Sequence, residues 1–242
     1  MYENPINFLE IFKQQWLLPA IFIGVFFIVM FYVIALSSQK VGVTVTTVSS
    51  KMAVIIPILF SILYYNEEIN RFKIIGIILA VIAVVLTIYK KKNNNINKKL
   101  ILLPIILFFG MGLVDLFVKF SQQEYVDNDL TPLFSAILFM TAGITGILTG
   151  IFNKKVIRSF KNINVYLFGI LLGFTNFGTI YFIIKALNSN IFDSSILFGI
   201  NNIGIVGLSV IIGLLVFKEK MSTINWIGIF ISFLAIIILS YA

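Results

Sequence analysis

An all-α membrane protein, a polytopic bundle of about eight transmembrane helices, is the fold class this 242-residue sequence predicts. Three observations carry that expectation. A mean hydropathy of +1.05, with 60% hydrophobic and 12% charged residues, is far too apolar for a domain of this size in water. Eight apolar runs are long enough to cross a hydrocarbon core about 30 Å thick, which takes about 18 residues or more. Finally, Gly and Pro interrupt the runs and no barrel-like alternation is present, so helices are the only spanning elements available.

The first run, 16–37, holds no charge, and the fifteen residues before it lack the cationic start, apolar core and cleavage site of a signal peptide. The second, 41–65, places Lys51 near its middle and Pro57 six residues later. The third, 72–89, follows the acidic turn at Glu67, and the fourth, 100–119, contains Asp115 with Lys119 one turn on. The fifth, 131–152, and sixth, 165–185, carry the spaced glycines 146, 150, 169 and 173, and the sixth adds Thr175, Asn176, Thr179 and Tyr181. In the seventh, 191–217, Ser195, Asn202 and Ser209 recur every seven residues and draw a polar stripe, with glycines 204 and 207 alongside. The eighth, 225–241, closes the bundle. The glycines read as sites of close helix approach.

Charge placement sets the expected orientation. Lys90, Lys91, Lys92, Lys98 and Lys99, then Lys154, Lys155, Arg158 and Lys161, then Lys218 and Lys220, fall in loops on one side, while Glu124, Asp127 and Asp129 fall on the other. Basic loops are retained in the cytoplasm, so both termini of this chain are expected outside. The net charge of +8 sits in short turns without interleaved aromatics, which excludes a nucleic-acid partner. With no cysteine and no histidine, disulfides, thiol nucleophiles, imidazole bases and the usual zinc ligands are absent, and there is no phosphate-binding GxxxxGK[ST] loop. No cofactor or metal is expected.

The chain also repeats itself. "NEEINRFKIIGIILAVIAVVLTIY" (66–89) aligns with "KEKMSTINWIGIFISFLAIIILSY" (218–241), matching Glu67 with Glu219, Gly76 with Gly228, Ala83 with Ala235 and Tyr89 with Tyr241. Upstream, "IALSS" (34–38) matches "IKALNS" (184–189) after a small gap. The second copy has two helices in front that the first does not, three plus five. Repeats with an odd number of crossings lie inverted in the membrane, an arrangement associated with alternating access and a site at the midplane.

The long helix, the acidic turn ending in Glu, and "IIGIILAVIAVVL" or "WIGIFISFLAIII" in each half resemble the EamA-like branch of the drug/metabolite transporter superfamily. That resemblance covers nearly the whole chain. It implies ten helices in two inverted five-helix repeats, and movement of small metabolites such as amino acids, often outward. The chain resembles such a protein without its first two helices, giving an incomplete first repeat (1–89), a basic inter-repeat loop (90–99) and a second repeat (100–242). It also implies a bacterial-type plasma membrane.

Lys51 is the sharpest functional signal. An ionised lysine at the centre of a span costs about 2.5 to 3.5 kcal/mol on insertion scales and is too deep to snorkel. It must face the bundle interior, a water-filled cavity or a partner. Thr44, Thr47 and Ile58 share its face, and its counterpart in the second repeat is Asn201 or Asn202. Asp115 has two candidate partners: Lys119 on its own helix, or Lys51 or a substrate cation across the bundle. The expected cavity lining is Lys51, Thr47, Asp115, Asn176, Asn201 and Asn202, with Pro57 as a hinge. Glu67 and Glu219 read as helix caps or salt-bridge partners of Arg71 and Lys220. The expected activity is secondary transport of a small polar metabolite, with the bilayer and that metabolite as partners. The alternatives are a non-transporting subunit or inactive truncated transporter, and an intramembrane enzyme using Ser49 or Ser50 beside Lys51. Adjacent residues of a helix point about 100° apart, which disfavours the enzyme.

Overall fold

The computed structural model describes residues 11–66, 69–89, 100–127, 130–152, 154–159, 161–187 and 194–241. All the regular structure among them is helical. The elements are α1 (Leu17–Lys40), α2 (Val43–Met52), α3 (Ile55–Tyr64), α4 (Arg71–Ile88), α5 (Leu102–Glu124), α6 (Thr131–Ile151), α7 (Lys154–Ser159), α8 (Ile163–Leu187), α9 (Ser194–Leu215) and α10 (Thr223–Ser240). Among the described residues, six spans satisfy length and apolarity for crossing a membrane: α1, α2 with α3, α4, α5, α6 and α10. The described apolar stretches of α8 and α9 are shorter, Ile163–Thr175 and Ile200–Leu215.

The second span is not one continuous helix. It breaks at Ala53 and Val54, between α2 and α3. Pro57 is the cause: it has no N–H to offer the Ala53 carbonyl, and its ring displaces that carbonyl. Ala53 O accepts instead from Ile56 N at 3.0 Å, a tighter turn than the α-helix makes. The kink expected at Pro57 therefore falls two residues after Lys51.

Local caps fix the other boundaries. Asn70 opens α4 by accepting from Lys73 N at 2.7 Å, and Ser222 opens α10 with a reciprocal capping box to Asn225. Pro132 sits in the first turn of α6, where a missing amide costs nothing. Gly42, at φ 119°, turns the chain from α1 into α2 in a conformation only glycine adopts readily.

Packing divides the buried side chains into two clusters. One joins α1, α5 and α6 through Trp16, Ala20, Ile23, Met30, Val114, Phe134 and Leu138. The other joins α2, α3, α4, α9 and α10 through Val48, Met52, Ile55, Ala80, Ala83, Val206 and Ala235. Helix α5 also packs against α2 and α3, so the seam between the clusters runs along α2, α3 and α5.

The tightest helix pair is α4 with α10. A Cβ at Gly76 would lie 2.6 Å from Leu239, and one at Gly228 would lie 2.6 Å from Thr87 Oγ1. The contact is reciprocal, since Thr87 and Leu239 hold equivalent places after Gly76 and Gly228 in the aligned segments. It also makes the helices antiparallel. Asn225 Nδ2 strengthens the join by donating to the carbonyls of Thr87 and Tyr89, both at 2.8 Å, and Leu86 at 3.3 Å.

Helix α8 differs from the rest. Every described side chain from Lys161 to Thr175 is exposed, and among the described residues the main neighbour of α8 is α9. Lipid tails satisfy such a surface without a protein partner. Close packing was expected at Gly169, Gly173 and Gly204, but among the described residues a Cβ there would meet nothing within 4 Å. At Gly146 the expectation holds, because Ile28 of α1 lies 3.3 Å from the Cβ position.

Candidate functional site

Lys51 occupies the last turn of α2, half-buried, just before the Ala53–Val54 break. Two glycines on α5 bring Asp115 to the same level. A Cβ at Gly110 would collide with Met30 of α1, and one at Gly112 with Ile56 of α3. Glycine at both places lets α5 wedge between α1 and the broken helix, with Asp115 following within one turn of Gly112. Lys51 and Asp115 then interact electrostatically across the seam.

The surroundings of this pair matter more than its sign. Asp115 is exposed and Lys51 half-buried, so the pair lies on an open part of the seam rather than in a filled core. Among the described residues, neither the ammonium nor the carboxylate has a hydrogen-bonding partner. Charges held within an apolar span need further hydrogen bonds to offset the loss of hydration. Three N–H donors and several carboxylate lone pairs are therefore not taken up by the described residues.

Of the two partners considered for Asp115, Lys51 is the one whose charge acts on the Asp115 carboxylate. Lys119 reaches across to α3 instead, where its Nζ donates to Ser61 Oγ, and Ser61 Oγ donates to Pro57 O at 2.8 Å. The residues around this tether form an aromatic group: Phe60 and Tyr64 stack at 5.0 Å, and Phe120 meets both edge-on.

The remaining expected lining residues are distributed as follows. Thr47 is half-buried one turn before Lys51, and its carbonyl accepts from Ser50 Oγ at 3.0 Å. Asn201 and Asn202 are half-buried on α9, which packs against α2. Asn176 belongs to α8, but its side chain lies outside the described residues, as do those of Thr179, Tyr181 and Ser195. Pro57 is buried in α3. Ser50 is committed to its own helix turn, and Ser49 is fully buried two residues from Lys51, about 200° around the helix, so neither sits beside the amine as a nucleophile. Ser209 is also turned inward: its hydroxyl donates to Val206 O at 2.7 Å while its carbonyl accepts from Thr44 Oγ1 at 3.4 Å, which makes it packing glue.

Sequence reasoning left Glu219 between capping and ion pairing. Its carboxylate accepts from Val43 N and from Thr44 N, the latter at 3.4 Å, so it caps α2 from the turn after α9. The corresponding expectation for Glu67 falls outside the described residues. Ser61 as the partner of Lys119, and the reach of Asn225 to the end of α4, were not foreseen, since no local spacing connects residues 58 or about 138 positions apart.

A bundle of apolar helices with a charged pair beside a helix break has the make-up of a multi-pass membrane protein. Comparison with known proteins narrows this class. Residues 4–89 match the model of the EamA-like transporter family. A Haemophilus influenzae protein described as uncharacterized is 30% identical over 229 residues, covering 93% of this chain and 72% of that protein. The chain belongs to the EamA-like transporter family, membrane transporters of the drug/metabolite superfamily.

Proposed function

We propose that the protein is a secondary transporter that moves a small polar metabolite, an amino acid or related zwitterion, by alternating access around the cleft at Lys51 and Asp115. The observation that carries this reading is the oppositely charged pair Lys51 and Asp115 beside the helix break, to which no described residue supplies a hydrogen bond. A carboxylate would bind the Lys51 ammonium, and a cationic amine would bind Asp115. The Asn201 and Asn202 amides, on the helix facing α2, would orient the remaining polar atoms. A ligand bearing both charges replaces the hydrogen bonds of water without leaving a net charge in the membrane.

Movement is supported by two features. The break at Ala53 and Val54 supplies a hinge in the helix that carries Lys51. The reciprocal contact of Gly76 with Leu239 and Gly228 with Thr87 has the two-way form that a pseudo-twofold axis between inverted repeats, 1–89 and 100–242, would impose. The basic loops would face the cytoplasm of a bacterial plasma membrane.

Flux of a radiolabelled metabolite panel into proteoliposomes tests the proposal. Uptake of at least one zwitterion should be lost in Lys51→Met and in Asp115→Asn while both variants insert and remain monodisperse. If no compound shows flux dependent on Lys51, the protein acts as a non-transporting subunit and the reading fails.

A further inference from the structure

Glu219 occupies a position that its capping role alone does not require. A helix N-terminus is usually capped by a residue next to it in sequence. Here the start of α2 is capped by a carboxylate 176 residues away, from the turn that ends α9. The contact is built on both sides. A Cβ at Gly42 would lie 2.9 Å from Glu219 Oε1, and one at Gly213 would lie 2.7 Å from Oε2 and 2.6 Å from Thr44 Oγ1. Glu219 is held in turn by its own amide, which donates to Gly213 O at 2.8 Å. Residues on both helices thus leave room for one carboxylate between them.

The helices it joins are those that carry the candidate site, Lys51 and Thr47 on α2 and Asn201 and Asn202 on α9. The capping contact lies at one end of this pair, while the Lys119–Ser61 tether lies toward the far end of α3. Between the two lies the break at Ala53 and Val54. Opening the cleft toward the α9–α10 turn requires α2 and α9 to part at Glu219.

We propose that Glu219 is a latch that closes the cleft on the side of the α9–α10 turn, holding the first turn of α2 against the end of α9 and releasing it when the cleft opens to that side. This deepens the alternating-access reading and rests on it for its purpose, although its test needs no substrate. The bond suits the task. It pairs an ionised acceptor with two backbone amides at a helix N-terminus, and it breaks without leaving either group in hydrocarbon, because both lie at the end of a span where water can reach them.

The native chain has no cysteine, so a single Thr47→Cys replacement reports access to the cleft. Full-length protein is reconstituted in vesicles and labelled with a membrane-impermeant maleimide from each side in turn. In Glu219→Gln, labelling from the side of the α9–α10 turn should rise about tenfold, the scale of one lost charge interaction at a helix terminus, while labelling from the opposite side falls or stays constant. Gly213→Ala keeps the charge but drives a Cβ into the Glu219 and Thr44 oxygens, and it should act in the same direction. Unchanged labelling in both variants overturns the latch. An equal rise from both sides also overturns it, because that would be general loosening through a lost cap. Flux dependent on Lys51 with labelling insensitive to Glu219 would refute the latch and leave the transporter reading standing. A one-sided rise without flux would do the reverse.

Discussion

Asn225 joins two helices whose sequences lie far apart, and replacing it by Ala should cost more than any other single polar truncation at the α4–α10 pair. Its Oδ1 accepts from Ser222 N at 2.9 Å and Ser222 Oγ at 2.8 Å, while its Nδ2 serves the carbonyls of Thr87 and Tyr89 at 2.8 Å each. Loss of the return half of the capping box costs about 1 kcal/mol, while Ser222 still accepts from the backbone at 225. Two carbonyls at the end of α4 lose their partner, at about 0.6 kcal/mol each on membrane-protein averages and up to about 1.5 each on soluble ones. The sum is about 2 to 4 kcal/mol, because Asn225 is only 8% exposed and water replaces the lost bonds poorly. Reversible unfolding in mixed micelles, followed by fluorescence of the two tryptophans, Trp16 and Trp226, gives the measurement. Ser240→Ala is the control: that hydroxyl donates only to Ile236 O within its own helix, and its loss should stay within about 0.5 kcal/mol. A cost for Asn225→Ala no larger than the control would refute the idea that this side chain ties the two helices together.

Three further outcomes follow from the packing and the charge pair. Gly228→Ala places a Cβ 2.8 Å from the backbone nitrogen of Thr87, which cannot move aside, so the same unfolding measurement should show a loss of about 1 to 3 kcal/mol, whereas Gly173→Ala, in open space, should change stability little or raise it. Pro57→Ala restores an amide that can bond Ala53 O; spin labels at Val45 and Leu63 should move apart as α2 and α3 straighten, and an unchanged distance distribution would assign the break to tertiary packing instead. Lys51→Met should leave Asp115 unpaired at about 1 to 2 kcal/mol, reduced from the fully buried case by the open surface at Asp115, and adding Asp115→Asn should recover part of that cost; strict additivity of the two changes would show that the charges do not interact.

Much of this architecture was legible in the chain because the membrane imposes a strong filter. Apolar runs of the required length have one backbone solution in lipid, so eight spans could be placed within a few residues of the helices observed. Pro57 announced its own kink, since a missing amide and a displaced carbonyl act on the helix that contains them. Lys51 stood out for an equally general reason, the cost of charge in hydrocarbon.

Partner choice was less accessible. Asp115 had a neighbour with correct spacing in Lys119, four residues on, and sequence could not choose between it and Lys51. The choice depends on glycines 110 and 112, which let α5 approach α1 and α3 closely enough to bring Asp115 to the level of Lys51 while Lys119 turns to Ser61. The spaced glycines of α8 looked the same on paper as those of α6, yet among the described residues a Cβ at Gly169 or Gly173 would meet nothing, whereas one at Gly146 would meet Ile28. A small residue permits close approach, but only the position of a second helix makes the contact.

What the sequence determined by itself was the medium, the helical class and the two positions where polarity and proline strain a membrane helix, because each follows from a free-energy cost paid within one segment. Only the tertiary structure decided which charge faces which, that Glu219 caps a helix begun far earlier in the chain, and that α4 and α10 meet glycine to side chain at both ends. Those contacts depend on the relative placement of whole helices, and no periodicity within a single segment encodes that placement.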